Sequence, residues 1–196
     1  MADMLRLFIA IPLPAPVREA LADLQGQLAE LAPPRAVRWV RPEGIHLTLK
    51  FLGDVPAAQQ RAIEGGMAQA AAGHAPFTLT VERLGCFPNV NRPRVVWVGV
   101  HGERDALQAL RDAVEAAIAP LGYPPESRPF SPHLTLGRVS KSASAGEVAA
   151  LGQALKGAQV DALGQIAVNG FSLVRSDLRP DGAIYTELAH VALQGA

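Results

Sequence analysis

Apolar residues along the chain fall into short continuous runs, alternating runs and helical stripes, and their order sketches a fold. Residues 5–11 (LRLFIAI) form a short apolar run of the kind a buried strand shows. Over 15–31, Val17, Leu21, Leu24, Leu28 and Leu31 recur at spacings of 4, 3, 4 and 3, which puts them on one face of a helix. Pro33-Pro34 ends that helix. Residues 37–40 suit a short strand and 45–52 (IHLTLKFL) a stronger one, after which Gly53-Asp54 is expected to turn the chain. A second helix is predicted over 56–72, weakened by Gly65-Gly66. Residues 77–86 alternate apolar and polar, as a half-buried strand does, and 94–100 form another strand.

The second part of the chain repeats this plan. Leu107, Leu110, Val114, Ile118 and Leu121 form the buried stripe of a helix over 103–121. The stretch 122–132 carries four prolines and no periodicity, so it reads as a loop. Residues 133–139 predict a strand, 141–145 a small polar loop, 146–156 a weaker helix, and 165–175 and 183–193 two closing strands. The order is β-α-β-α-β, then β-α-β-α-β-β. Strands paired within such halves, with helices against them, imply α+β layers. The 196 residues suit one domain, 1–196, built as two lobes. No solenoid repeat, glycine-rich dinucleotide turn or P-loop pattern is present.

One short repeat carries chemistry. His46-Leu47-Thr48-Leu49 recurs as His133-Leu134-Thr135-Leu136. With five His and five Thr in the chain, two His-x-Thr coincidences arise in under about 1% of shuffles. On a strand, residues i and i+2 share a face. Each motif therefore sends its leucines into a core and offers an imidazole and a hydroxyl to the other side. Two such strands facing each other suit metal-free cleavage of a phosphodiester. A neutral imidazole takes a proton from attacking water, a protonated one gives a proton to the leaving oxygen, and the Thr hydroxyls donate to non-bridging oxygens. Histidine suits both roles because its ordinary pKa, about 6.5, leaves both protonation states accessible near neutrality. Two histidines alone make a poor zinc site, and no metal is expected. His74, His101 and His190 have no Thr two places on and read as ordinary residues; Ser131 and Ser172 lack the context of a nucleophile elbow.

Charge and composition narrow the partners. Eighteen Lys+Arg against 18 Asp+Glu give zero net charge, which excludes coating of nucleic acid or anionic membrane by bulk charge but not a site for one phosphate. The basic residues are 15 Arg and 3 Lys. Arg suits bidentate phosphate recognition and stacking on bases, although the excess as a class also fits a chain rich in Ala, Gly and Pro. Cys86 is alone, so no intrachain disulfide or multi-cysteine zinc site can form, which fits a reducing compartment. The start, MADMLRLFIAIPLPAP, lacks the basic leader of a signal peptide and is interrupted by Pro12, Pro14 and Pro16. No stretch approaches the roughly 20 apolar residues of a membrane span. The expectation is a soluble cytoplasmic protein, monomeric, with no cofactor and no obligate protein partner.

At the paired motifs the chain resembles the two-histidine phosphoesterase superfamily and, within it, the RNA 2′,3′-cyclic phosphodiesterases, also called 2′-5′ RNA ligases. The resemblance is carried by RLFIAIPLP, VRWVRPEGIHLTLKFLG, PRVVWVGV, RPFSPHLTLGRV and FSLVRSDLRPDGAIYTEL, nearly the full length. It implies a bilobal, duplicated α+β fold, two mainly antiparallel sheets facing across a central cleft with helices outside. It implies hydrolysis of an RNA-terminal 2′,3′-cyclic phosphate to a 2′-phosphomonoester, with reversible 2′-5′ ligation as the opposite direction. His46 would be proton donor and His133 proton acceptor, an order the residues themselves do not fix; Thr48 and Thr135 would hold the phosphate. Phe51 and Arg138, each five residues after a motif histidine, would flank the base. On a regular strand, i+5 points away from i, so core packing stays open for Phe51, and Arg138 shares that parity problem. Arg128 and Arg175 are further phosphate candidates. A binding module without turnover, and a phosphodiesterase for a small cyclic nucleotide, are the alternative readings.

Overall fold

The structure, a computed structural model, describes residues 3–179 and 182–195. Nine strands and four helices are found among them: β1 (Met4–Ile11), α1 (Ala15–Leu31), β2 (Val37–Trp39), β3 (Leu47–Pro56), α2 (Gln60–Ala71), β4 (Phe77–Phe87), β5 (Val95–Gly102), α3 (Arg104–Ile118), β6 (His133–Val139), α4 (Ala145–Gly157), β7 (Gly164–Val168), β8 (Gly170–Arg179) and β9 (Gly182–Ala192). None of the helices is long and apolar enough to cross a membrane. The strands form a four-stranded sheet, β3-β1-β8-β9, and a five-stranded sheet, β2-β6-β5-β4-β7, and every pairing is antiparallel.

The α+β class and the two antiparallel sheets are as expected, and β1–β3, β5–β6 and β8–β9 pair within the halves, but other pairings cross between them. A late strand of each half crosses over: β4 lies beside β5, and β8 lies beside β1. The order of each sheet is therefore motif strand, first strand, then the other half's late strand. This exchange is why residues 165–175, expected as one strand, are two. β7 pairs with β4 in the larger sheet, the chain breaks at Asn169, and β8 enters the smaller sheet between β1 and β9.

The core lies on one face of each sheet, where the predicted stripes converge. α2 and α3 pack on each other and meet β9 and β3 of the small sheet, while α1 meets β7 of the large sheet and α4 meets α1. Val17, Leu21, Leu24 and Leu28 of α1 and Leu107, Leu110, Val114 and Ile118 of α3 are buried. α4 is made largely of Ala and Gly, yet it starts firmly. Ser144 accepts from the Glu147 amide while the Glu147 carboxylate accepts from the Ser144 amide, a reciprocal cap. Gly53 does not turn the chain. It stays in β3 at φ 73°, beside a register step that leaves Leu52 extra, a left-handed position glycine takes without a Cβ penalty.

Candidate active site

The faces not covered by helices carry the paired motifs. Thr48 sits on β3 beside Ala10 of β1, and His46 immediately precedes the strand. On β6, His133 lies opposite Gly99 and Thr135 opposite Trp97 of β5. The leucines that alternate with them are buried, Leu47, Leu49, Leu134 and Leu136 among them. The shared face of each imidazole and hydroxyl is thus built as the alternation predicts.

The parity problem at Phe51 and Arg138 is resolved by a bulge at the same place in both strands. Against β1, the register steps from Ala10 opposite Thr48 to Ile9 opposite Lys50, leaving Leu49 extra. Against β5, it steps from Trp97 opposite Thr135 to Val96 opposite Gly137, leaving Leu136 extra. One extra residue reverses the alternation beyond it. Residue five after each histidine therefore returns to the histidine's face. Phe51 is 70% exposed, and its ring lies 6.1 Å from that of Phe8, which in turn stacks on His46 at 4.4 Å. The core-packing alternative for Phe51 is thereby overturned. Arg138 is exposed and close enough to His133 to disfavour its protonation. The Leu136 bulge is pinned from behind: its carbonyl accepts from the Val40 amide (2.8 Å) and from the buried Gln25 side chain (2.8 Å), which also donates to the Val40 carbonyl (2.7 Å).

Each imidazole is oriented by the carbonyl two residues before it. His133 Nδ1 lies 2.7 Å from the Ser131 carbonyl. A carbonyl only accepts, so Nδ1 carries the proton and Nε2 of the neutral ring is left as the acceptor. His46 likewise hydrogen-bonds the Gly44 carbonyl. Aromatic rings hold both in place. His46 has Phe8 stacked on it and the edge of Tyr185 at 5.2 Å, and His133 has Phe87 edge-on at 4.9 Å and Trp97 at 6.2 Å. Tyr185 approaches so closely that a Cβ on Gly44 would stand 2.9 Å from its ring. Burial pulls His46 down to about 4 and lowers His133 as well. Burial also raises the Tyr185 phenol, against the pull of Arg138 and Arg6.

Arg138 is the link between the sheets. It lies on β6, yet it acts electrostatically on Tyr185 of β9, which touches His46. The two motifs thus open into one space. Phe8, Tyr185, Phe87 and Trp97 were not singled out in the sequence. Their strand alternation was visible, but strand order was needed to know which histidine each one faces.

Two further candidates are tied to carboxylates. Arg175 is opposite Leu7 in an unbulged pairing, so it shares the helix-covered face with Leu7 and Leu173, and its guanidinium is tied to Asp177 at 2.9 Å. Arg128 stands in the loop before β6 with its guanidinium on Glu126 at 3.2 Å and its side chain 83% exposed.

The depressed His46 has a consequence for stability. Between pH 6.5 and about 4 the unfolded chain binds a proton that the folded chain refuses, so stability is complete above 6.5 and is lost as pH falls toward 4. The expected result is a denaturation midpoint that drops across this window, with the drop visibly flattened in His46→Gln. A parallel drop in the variant would rule out His46 as its source.

The fold presents a His-x-Thr motif at the same place in each of its two sheets, at the start of β3 and of β6. Comparison with known proteins agrees: the model of the LigT-like phosphoesterases matches the chain twice, over residues 11–97 and 98–185. The chain belongs to that family. It is 34% identical to the RNA 2′,3′-cyclic phosphodiesterase of Methanothermobacter thermautotrophicus, over 93% of this chain and 96% of that one. It is 36% identical to the protein of that name from Escherichia coli K12, over 73% and 77%. Among solved structures, TT0787 of Thermus thermophilus superposes with a TM-score of 0.79 at 32% identity, covering 97% and 98% of the two chains. E. coli LigT complexed with 3′-AMP gives 0.74 at 31%, covering 97% and 99%.

Proposed function

We propose that the protein hydrolyses the terminal 2′,3′-cyclic phosphate of RNA to a 2′-phosphomonoester. His133 Nε2 takes a proton from water as the water oxygen bonds to phosphorus. His46 gives a proton to the 3′ oxygen as the P–O3′ bond breaks. Protons and bonds balance between the two imidazoles, so the displacement requires no metal. Thr48 and Thr135 donate to the non-bridging oxygens, and Phe51 and the Arg138 guanidinium plane flank the base, an arrangement tolerant of any base. A 5′-hydroxyl in place of water turns the same displacement into 2′-5′ ligation. The observation that carries this reading is the repeated bulge three residues after each motif histidine, which gives both strands one functional face.

The test is incubation with an oligonucleotide ending in a 2′,3′-cyclic phosphate, in excess EDTA, with the product identified by NMR or chromatography. The expected product is the 2′-phosphate, at an unchanged rate. Loss of turnover on chelation would overturn the metal-free displacement, and a 3′-phosphate product would overturn the assignment of the leaving oxygen. An intact cyclic end beside tight binding of a 2′-phosphate would make the protein a binding module.

A further inference from the structure

Arg38 and Arg138 face each other across β2 and β6. Directly opposed residues of an antiparallel pair project from the same face, and Arg138 is on the face of His133 and Thr135. Both are exposed. Four other arginines have carboxylate partners, Arg6 with Asp54, Arg111 with Glu115, Arg128 with Glu126 and Arg175 with Asp177, and several do not. Among the described residues, Arg38 and Arg138 have no such partner. Like charges directly opposite each other disfavour a pairing, and β2 is an edge strand of only three residues, held to the sheet by β6 alone. A neutral or acidic side chain at position 38 would suit the strand better. The arrangement makes sense when an anion completes it.

We infer that Arg38 and Arg138 form a second anion subsite, which takes the phosphodiester on the 5′ side of the terminal nucleotide. The inference rests on the proposed reading of the site and extends it to substrate class: an RNA end with at least one internal phosphodiester is preferred over a mononucleotide. A guanidinium can serve both neighbours at once, because its plane stacks while its in-plane N–H groups donate to phosphate oxygens. Arg138 thus meets the base with its face and the phosphate with its edge, and Arg38, one strand further out, closes the other side of the same phosphate. The zero net charge fits this locally built site: recognition involves about two phosphates rather than an extended basic track.

The test compares adenosine 2′,3′-cyclic phosphate, which has no second phosphate, with the dinucleotide carrying one internal phosphodiester and the same cyclic end. The wild-type protein is expected to favour the dinucleotide by about tenfold or more in kcat/KM, and Arg38→Ala to lose about tenfold more on the dinucleotide than on the mononucleotide. The salt slope for the dinucleotide falls by about 0.7 in the variant, one phosphate's worth on a single strand. Arg38→Lys, which keeps the charge, retains part of the preference, and the Tm of Arg38→Ala does not fall, because a like-charge pair has been relieved. Turnover of both substrates with no preference, or an equal loss on both, would overturn the second subsite and leave the phosphodiesterase reading standing. Turnover of neither, with neither 2′-phosphate product bound in calorimetry, would overturn both.

Discussion

Alanine at His133 or at His46 lowers turnover of a cyclic-phosphate RNA end by at least about 10²-fold, with a much smaller change in product binding. In the proposed mechanism each imidazole has one proton to move, His46 as donor and His133 as acceptor, and neither hydroxyl can replace it. The pH profiles carry the sharper expectation. In the free protein His46 titrates near 4, because Phe8, Tyr185 and the neighbouring backbone shield it from water. A donor must be protonated, so kcat/KM, which reports the free protein, falls as pH rises above that value. A bound phosphate anion favours the imidazolium, so the alkaline limb of kcat lies at higher pH than that of kcat/KM. With His133 as the proposed base, the acid limb is expected below 6.5, because burial and Arg138 both disfavour its protonation. Coincident alkaline limbs for kcat and kcat/KM would show that His46 is not the donor charged by its substrate. Full activity in either alanine variant would remove that residue from the mechanism.

How much of this was legible in the sequence follows from what depends on local pattern and what depends on pairing. The helices α1 and α3 and the motif strands were legible, because 3.6-residue and two-residue apolar periods report burial directly. The paired His-x-Thr motifs were legible because an i, i+2 relation survives in any strand. The shared face of Phe51 and Arg138 was not, since it depends on the extra residues Leu49 and Leu136, and a bulge is a relation between two strands. The split at Asn169 was hidden for the same reason: β7 and β8 read as one apolar run until their partners, β4 and β1, are known to lie in different sheets. A local signal did exist for α4 in Ser144-x-x-Glu147, the pattern of a capping box. Arg175 shows the converse limit: its type suggested phosphate binding, but an unbulged register aims it at the helix side.

Glu115→Ala lowers stability by about 3–5 kcal/mol, the cost of stranding a buried charge, and with it Tm by roughly 6–20 °C for a chain of this size. The bulge at Leu49 that brings Phe51 to the His46 face also turns Lys50 to the opposite face, where it is 5% exposed. There its ammonium donates to the Glu115 carboxylate of α3 and to the Pro124 carbonyl at 2.9 Å. The other carboxylate oxygen takes Arg111 at 2.9 Å and the Glu126 amide at 3.4 Å, and the Arg111 guanidinium lies over the Phe130 ring. One carboxylate thus ties the first motif's strand to a helix and to the loop that carries Ser131, whose carbonyl orients His133. Removing it leaves two cations facing each other in a dry interface. Lys50→Met costs less, because Arg111 still neutralises Glu115. Combining Lys50→Met with Glu115→Leu recovers part of the single-variant loss, since packed apolar groups can replace a buried pair with little penalty. Faster hydrogen exchange at the Glu126 amide should accompany the loss in Glu115→Ala. A Tm within about 2 °C of wild type, which for this size is under about 1 kcal/mol, would mean that water already reaches the cluster and that the loop before His133 is held by something else.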